Sequence, residues 1–296
     1  MRYTTQRPRR GFSLVEILVV LSIIAILASL SMAAYMRIRT LQNVRTSEDV
    51  VSKVQLGLDN QVKIIADNVR LDKASPEYVG LLPFCDNDPD RTTSLLLYCR
   101  LRQAFPSPSD IALPAPTPVI FTVNAIPFRR PVAFDRIAGA SDPDPNKISA
   151  AILFVALSAR TQGGNTLAVD EGLAGAQLDL PVQSGGTVRV FKDGFGNPVP
   201  FVRFLESTEL DTDPRFTNLK SGNKDPFDVW GKLNGWTNAA NKGSAQTSVG
   251  VAFNGRNKAI TAFSYGQNKT PDPILGTLDD IMGYRLRAVG QKGANP

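Results

Sequence analysis

The most informative residue for chemistry in this chain is a single glutamate near the amino terminus. Glu16 is the only charged residue of the 25-residue stretch from Phe12 to Met36, which consists mainly of Ile, Leu, Val and Ala. A carboxylate within an apolar membrane helix costs a few kcal/mol, and such a residue by default indicates a function or a partner. Glu16 is therefore the first candidate functional residue.

The sequence lacks the residues that most common catalytic sites require. The chain has no histidine, which excludes Ser–His–Asp and Cys–His catalysis and histidine metal ligands. Its two cysteines are too few for a zinc site or an iron–sulfur cluster. A glycosidase could use a pair of carboxylates, but the sequence contains no recognisable motif with such a pair. The sequence thus predicts that the protein is not an enzyme.

The net charge of +6 is concentrated at the amino terminus. Residues 1–11 carry four of the 33 basic residues and no acid, so the rest of the chain has 29 basic against 27 acidic residues, or +2. A nucleic-acid partner is therefore not indicated.

The pattern around Glu16 predicts one long helix. Ile17–Met36 is a run of 20 uncharged residues, which at about 1.5 Å per residue spans roughly 30 Å, the thickness of the hydrocarbon core. A removable secretory signal is the alternative, but its apolar core would be shorter. Apolar residues then recur at three- and four-residue spacing from Ile38 to Val69, which predicts an amphipathic continuation. We expect a single helix from Phe12 to about Asp72, with a cytoplasmic amino terminus because the leader is basic.

The segment Gly11-Phe12-Ser13-Leu14-Val15-Glu16, after its basic leader, resembles the amino terminus of type IV prepilins. The resemblance covers roughly residues 1–72. It implies that prepilin peptidase cuts between Gly11 and Phe12 and methylates the new Phe12 amine. It also implies that Glu16 pairs with the amino terminus of a neighbouring subunit during filament assembly. Many pilins have a helix-kinking proline where this chain has Ala33 and Ala34, so a straighter helix is expected.

The rest of the chain is predicted to be extended and β-rich. Residues 76–131 hold ten of the 21 prolines, which predicts loop-rich structure rather than long helices. The apolar residues 148–159 predict a buried strand or a short helix. Two hairpins are expected: one joins Val188 and Val190 to residues 201–205, and one joins residues 249–253 to residues 260–264.

The predicted fold class is α+β, a pilin fold in which the long amino-terminal helix packs on an antiparallel β-sheet. The corresponding division of the chain is a leader at 1–11, a transmembrane helix half at 12–36, an amphipathic helix half at 37–75, a proline-rich insertion or loop region at 76–135 and a β-rich globular pilin domain at 136–296.

Cys85 and Cys99 lie fourteen positions apart within the proline-rich region. If the domain lies outside the cytoplasm, a disulfide between them would fasten this region. Two buried thiols are the alternative.

Two distal segments resemble motifs of type II secretion major pseudopilins. Residues 193–198, Asp-Gly-Phe-Gly-Asn-Pro, are similar to their Asp-Pro-Trp-Gly-Asn-Pro signature, from which Gly194 and Phe195 depart. Residues 264–268, Ser-Tyr-Gly-Gln-Asn, resemble their calcium-binding Ser-x-Gly-x-Asp loop, with an amide in place of the acid. The resemblance implies calcium as the one candidate cofactor, and a solvated acidic loop is the alternative. Calcium takes oxygen ligands, which here would come from Ser264, Asn268, Asp272, Asp279 and Asp280.

The resemblance implies a structural subunit of a type IV pilus-like filament, most similar to a type II secretion pseudopilin that helps export proteins. A minor pilin in adhesion, twitching motility or DNA uptake is the alternative. A membrane-anchored enzyme or binding domain is the alternative from another class. The implied partners are prepilin peptidase, other pilin or pseudopilin subunits and the inner-membrane assembly platform. The expected location is a single pass of the inner membrane, with the globular domain periplasmic or extracellular, and a filament after assembly.

Overall fold

A computed structural model of the chain describes residues 14–113, 118–159, 173–182, 186–213, 223–268 and 280–286. The fold is α+β, as predicted, with a long apolar amino-terminal helix and small antiparallel sheets.

Helix α1 (Leu14–Leu71) contains 58 residues and confirms the single long helix expected from the sequence. Its first half is exposed along its whole length, from Leu14 to Arg39. Its second half buries one stripe at helical spacing, which is the amphipathic pattern. The buried positions of this stripe are Ser47, Val50, Val51, Val54, Gln55, Gly57, Leu58, Gln61, Ile65 and Val69.

The proline-rich region is more helical than predicted. It forms α2 (Pro76–Phe84), α3 (Pro89–Ala104) and α4 (Pro108–Ala112), so the expectation of extended loops was wrong for these residues. Each helix begins at a proline, a position where the missing N–H is not needed and where a fixed φ favours the helix. A side chain caps the amino terminus of each helix: Ser75, Asp88 and Ser107. Further along the region, the described residues include an extended hairpin of β1 (Val119–Val123) and β2 (Ile126–Arg129).

The remaining elements follow in chain order. Residues 148–159, for which the sequence predicted a buried strand or a short helix, lie mostly in helix α5 (Pro145–Ser158). All residues of this helix from Ile148 to Leu157 are buried. It is followed by β3 (Gln177–Pro181), β4 (Thr187–Phe191), β5 (Phe201–Leu205), α6 (Thr208–Thr212), α7 (Ala239–Val249), β6 (Ala259–Ser264) and β7 (Ile281–Met282).

The strand pairing differs from both predicted hairpins. Strand β3 pairs with β4, and β5 pairs with β6, which pairs with β7, all antiparallel. The segment between β4 and β5 makes only an isolated bridge, Lys192 to Pro198. Residues 249–253 do not pair with β6, because Val249 ends α7 and Gly250 caps that helix in the left-handed conformation, with φ of 76°. The local signals therefore identified the residues of β4, β5 and β6 but not their partners, and the prediction of a strand at residues 249–253 was wrong.

The core lies between the carboxyl half of α1 and the elements packed on it, chiefly α3 and β6. A buried amide joins α1 to the sheet at this point. The Nε2 atom of Gln55 donates to the Ile260 carbonyl at 3.0 Å, and its Oε1 accepts from the Ala262 N–H at 3.1 Å. Gln55 thus satisfies two backbone groups of β6 and fixes the position of the sheet along the helix.

Candidate functional site

Glu16 lies in the first turn of the described part of α1, where a negative charge complements the partial positive charge of a helix amino terminus. Its neighbours Leu14, Val15 and Ile17 are between 51% and 81% exposed. Gly11 and Phe12, the predicted cleavage and methylation sites, lie outside the described residues.

The first half of α1, which carries Glu16, is apolar on all sides. A helix of this kind requires either a membrane or other helices around it, because its apolar surface is otherwise exposed to water. Among the described residues, α1 is the one helix long and apolar enough to cross a membrane, and the apolar window that meets this criterion is not buried in the fold. The first half of α1 is therefore available both for membrane insertion and for packing against neighbouring helices.

The structure brings the two distal motifs together in one buried turn. The Asp193 carboxylate accepts from the backbone N–H groups of Phe195 and Asn197 at 2.9 and 2.7 Å, and from the Ser264 hydroxyl at 2.6 Å. The Asn197 amide donates to the Gly266 carbonyl at 3.1 Å. Residues 193–198 and 264–266 therefore form a single hydrogen-bonded unit, which we call the Asp193 turn.

The Asp193 turn also contacts α1 directly. The Gly194 N–H donates to the Ser47 hydroxyl at 2.9 Å. A methyl group at Gly194 would overlap the Asn43 carbonyl oxygen and lie 2.9 Å from Cβ of Thr46, so only glycine fits. This turn links the carboxyl-terminal sheet to α1 at Ser47, the first residue of the buried stripe. The sequence singled out both of its motifs, but not their contact.

The predicted calcium ligands are only partly within the described residues. Ser264 is buried and bonded to Asp193, Asn268 is exposed and Asp280 is buried, whereas Asp272 and Asp279 lie outside the described residues. In the part of the chain that the structure describes, no three His, Cys, Asp or Glu residues are grouped closely enough to hold a metal ion. The calcium site thus stays a prediction.

Cys85 and Cys99 are fully buried free thiols, one following α2 and one in α3. Burial raises the pKa of the Cys85 thiol to about 12. Burial, and then the charge of Cys85, raise the pKa of Cys99. The structure does not confirm a disulfide, which remains a prediction.

A second polar group was missed by the sequence analysis. Lys258 and Asp225 are buried together among aromatic rings, with Tyr98 and Glu206 beside them. The residues lie in four separate segments, and no local spacing connects them.

A comparison with family models matches residues 6–32 to the prokaryotic N-terminal methylation motif. No curated protein and no solved structure matches the chain. The matched residues include the Gly11–Phe12 junction, Glu16 and the first part of α1, which are the residues that the sequence analysis selected. This match supports a type IV prepilin-like protein, and a class III signal of this kind implies processing by prepilin peptidase and assembly with other pilins.

Proposed function

We propose that this protein is a structural subunit of a type IV pilus-like filament, and specifically a pseudopilin that helps a type II secretion system export proteins. The observation that carries the filament proposal is the exposed, uniformly apolar first half of α1 with Glu16 in its first described turn. Its globular part is built on the second half of the same helix.

Before assembly, the subunit would be held by α1 in the inner membrane, with its amino terminus in the cytoplasm and its globular domain in the periplasm. Buried contacts on α1 begin at Ser47. The eleven helical steps from Met36 to Ser47 rise by about 16 Å, which places the folded part clear of the bilayer. The subunit could therefore fold completely while still in the membrane.

Assembly would depend on the charge of Glu16. Cleavage after Gly11 creates a new amine on Phe12, and both groups are costly to bury alone. A carboxylate and an amine that meet between neighbouring subunits relieve each other's desolvation. This pairing would hold each new subunit in register with its neighbour and with the inner-membrane assembly platform.

The assignment to the pseudopilin class is supported by the two motifs that form the Asp193 turn. A minor pilin is the second candidate, favoured by the helical layer α2–α4, which enlarges the globular part beside α1. The proposed organisation of the chain remains a leader at 1–11, helix halves at 12–36 and 37–75, a helical and hairpin region at 76–135 and a globular remainder.

Deletion of the gene distinguishes these functions. We expect loss of exported proteins from the culture medium, measured by proteomics of the supernatant, with normal twitching and DNA uptake. Complementation with the wild-type gene should restore export, whereas complementation with a Glu16→Ala allele should not. Normal export with loss of twitching, adhesion or DNA uptake would contradict the pseudopilin assignment and support the minor pilin.

A further inference from the structure

The buried pair Lys258 and Asp225 lies in a chemically unusual environment. Lys258 is 2% exposed and Asp225 is 1% exposed, and the lysine Nζ atom lies 3.0 Å from Oδ2 of the aspartate. The pair is bordered by Tyr98, whose ring packs at centroid distances of 5.2, 5.7 and 5.3 Å against Phe204, Phe227 and Phe253. Two opposite charges are therefore enclosed by aromatic rings, and bulk water is largely excluded.

Each oxygen of the Asp225 carboxylate has a different donor. Oδ1 accepts the backbone N–H of Phe227 at 3.0 Å, and Oδ2 accepts the Tyr98 hydroxyl at 2.5 Å. Burial, followed by the charge of Asp225, raises the pKa of Tyr98 well above its usual value, so this hydroxyl keeps its proton. A backbone donor at one oxygen and a proton donor at the other are the groups that polarise a carbonyl and assist departure of an oxygen.

The lysine amine has acceptors on its other side. Nζ lies 3.5 Å from Oε1 of Glu206, 3.1 Å from Oδ1 of Asn254 and 3.4 Å from the Arg256 carbonyl oxygen. Glu206 is partly accessible and is the second carboxylate at Nζ in the described part of the chain. It can accept a proton from the ammonium group.

We propose that Lys258 and Asp225 join spontaneously in an intramolecular amide bond. Nζ of Lys258 already lies 3.0 Å from Oδ2 of Asp225, so a small shift of the side chain brings it to Cγ, the atom that it must attack. Holding two reacting groups together in this way lowers the barrier to their reaction. The segments that carry them are also paired, since the Lys224 N–H donates to the Gly255 carbonyl at 2.8 Å. The bond can therefore form with little backbone movement.

The chemistry needs no other reactant. Glu206 accepts a proton from the Lys258 ammonium, and the freed electron pair attacks Cγ of Asp225 to form the Cγ–Nζ bond. Negative charge develops on Oδ1, where the Phe227 N–H stabilises it. The Cγ–Oδ2 bond then breaks, and Oδ2 leaves as water with the two protons that Nζ has lost. One of these protons passes from Nζ directly to Oδ2. The other passes through Glu206 to Tyr98, which gives its own hydroxyl proton to Oδ2, so that Tyr98 and Glu206 end unchanged and nothing is oxidised or reduced.

The reaction is driven by the environment. A buried ion pair carries a desolvation penalty that its mutual attraction offsets only in part, and conversion to a neutral amide removes both charges. The product would join the segment after residue 223 covalently to the beginning of β6. A subunit that carries load in a filament would gain from such a link, although the proposal does not depend on the filament function.

Mass spectrometry of the full chain, extracted in detergent and digested with trypsin, tests this directly. We expect peptide 225–232 joined to peptide 257–269, with a mass lower than the sum of the two by one water molecule. The Lys258 amine should resist amine-reactive labelling after denaturation. Recovery of both linear peptides, with Lys258 labelled, would overturn the proposal.

Two variants separate the chemistry from the fold. Glu206→Gln and Tyr98→Phe keep the shape of each side chain and should abolish or greatly slow bond formation, while circular dichroism and protease resistance show a folded protein. A natural control is the more exposed pair Lys232 and Asp88, at 3.2 Å, which should give no joined peptide. A joined peptide at wild-type yield in Glu206→Gln would refute the role of Glu206 as the base.

Discussion

The contact between the Asp193 turn and α1 gives the sharpest prediction for stability, through the substitution Gly194→Ala. The added methyl group would overlap the Asn43 carbonyl oxygen and lie 2.9 Å from Cβ of Thr46. Both atoms belong to the rigid helix α1, so the turn must move away. Because Gly194 is not among the glycines with positive φ, the cost arises from lack of space rather than from backbone strain.

Two contributions determine the expected loss of stability in Gly194→Ala. Forcing an extra methyl group into a tightly packed contact costs about 1–3 kcal/mol. Displacement of the turn also breaks the bond from the Gly194 N–H to Ser47 Oγ, which adds about 1 kcal/mol. The expected loss is about 2–4 kcal/mol, or a fall in Tm of roughly 5–15 °C for a folded part of this size.

The assay is thermal unfolding of the full chain in detergent, followed by near-ultraviolet circular dichroism. The matched control is Gly243→Ala in α7, where a methyl group would meet no atom within 4 Å. This control should raise stability by about 0.5–1 kcal/mol, because alanine favours the helix. An unchanged Tm for Gly194→Ala would refute the packing of the turn on α1.

A double mutant tests the hydrogen bond separately. Ser47→Ala removes the acceptor of the Gly194 N–H and should cost about 1–3 kcal/mol if that donor stays buried. Since both substitutions disrupt the same bond, their combination should cost less than the sum of the two single effects. Strict additivity would show that the two residues do not interact.

Four further predictions concern processing, assembly and the two untested sites. Glu16→Ala should show normal membrane levels and normal cleavage, but a severe loss from sheared filaments on immunoblots; Glu16→Asp should be only partly impaired, and wild-type incorporation of Glu16→Ala would show that the charge is incidental. Mature protein from native membranes should begin with N-methylated Phe12 by mass spectrometry, and a retained leader ending at Gly11 in the presence of the peptidase would contradict this. Cys85 and Cys99 should be bonded in protein from its native compartment, with about 3 kcal/mol of stabilisation from closing the loop; non-reducing peptide mapping that recovers both cysteines alkylated would exclude the bond. Millimolar calcium should raise the Tm of the full chain relative to chelator, by about 2.7 kcal/mol of stability at a hundredfold excess over Kd, and coincident melts would remove the calcium site.

The sequence alone determined the amino-terminal part of the protein. The signals in this part are all local: the basic leader, the Gly11–Phe12 junction, Glu16 and the change from uniform to periodic hydrophobicity. They therefore predicted α1 almost to the residue. The family match at residues 6–32 lies within this same region. The α+β class was also predicted, because it needs only the types of the elements and not their pairing.

Tertiary structure decided the arrangement of the remaining elements. Prolines signal loops and helix starts alike. A capping Ser or Asp directly precedes Pro76, Pro89 and Pro108 and makes each of them the first residue of a helix, and packing decides how far each helix extends. Strand partners are chosen by burial across the whole domain, so β6 pairs with β5 and β7 and is fixed to α1 by Gln55.

The sequence also could not predict the contacts between residues that are far apart along the chain. Ser264 meets Asp193 across 71 positions, and Lys258 meets Asp225 across 33. Each of these carboxylates is buried, and a buried polar group needs a partner whatever its distance along the chain. The sequence shows which residues need partners, but only the folded chain shows which residues supply them.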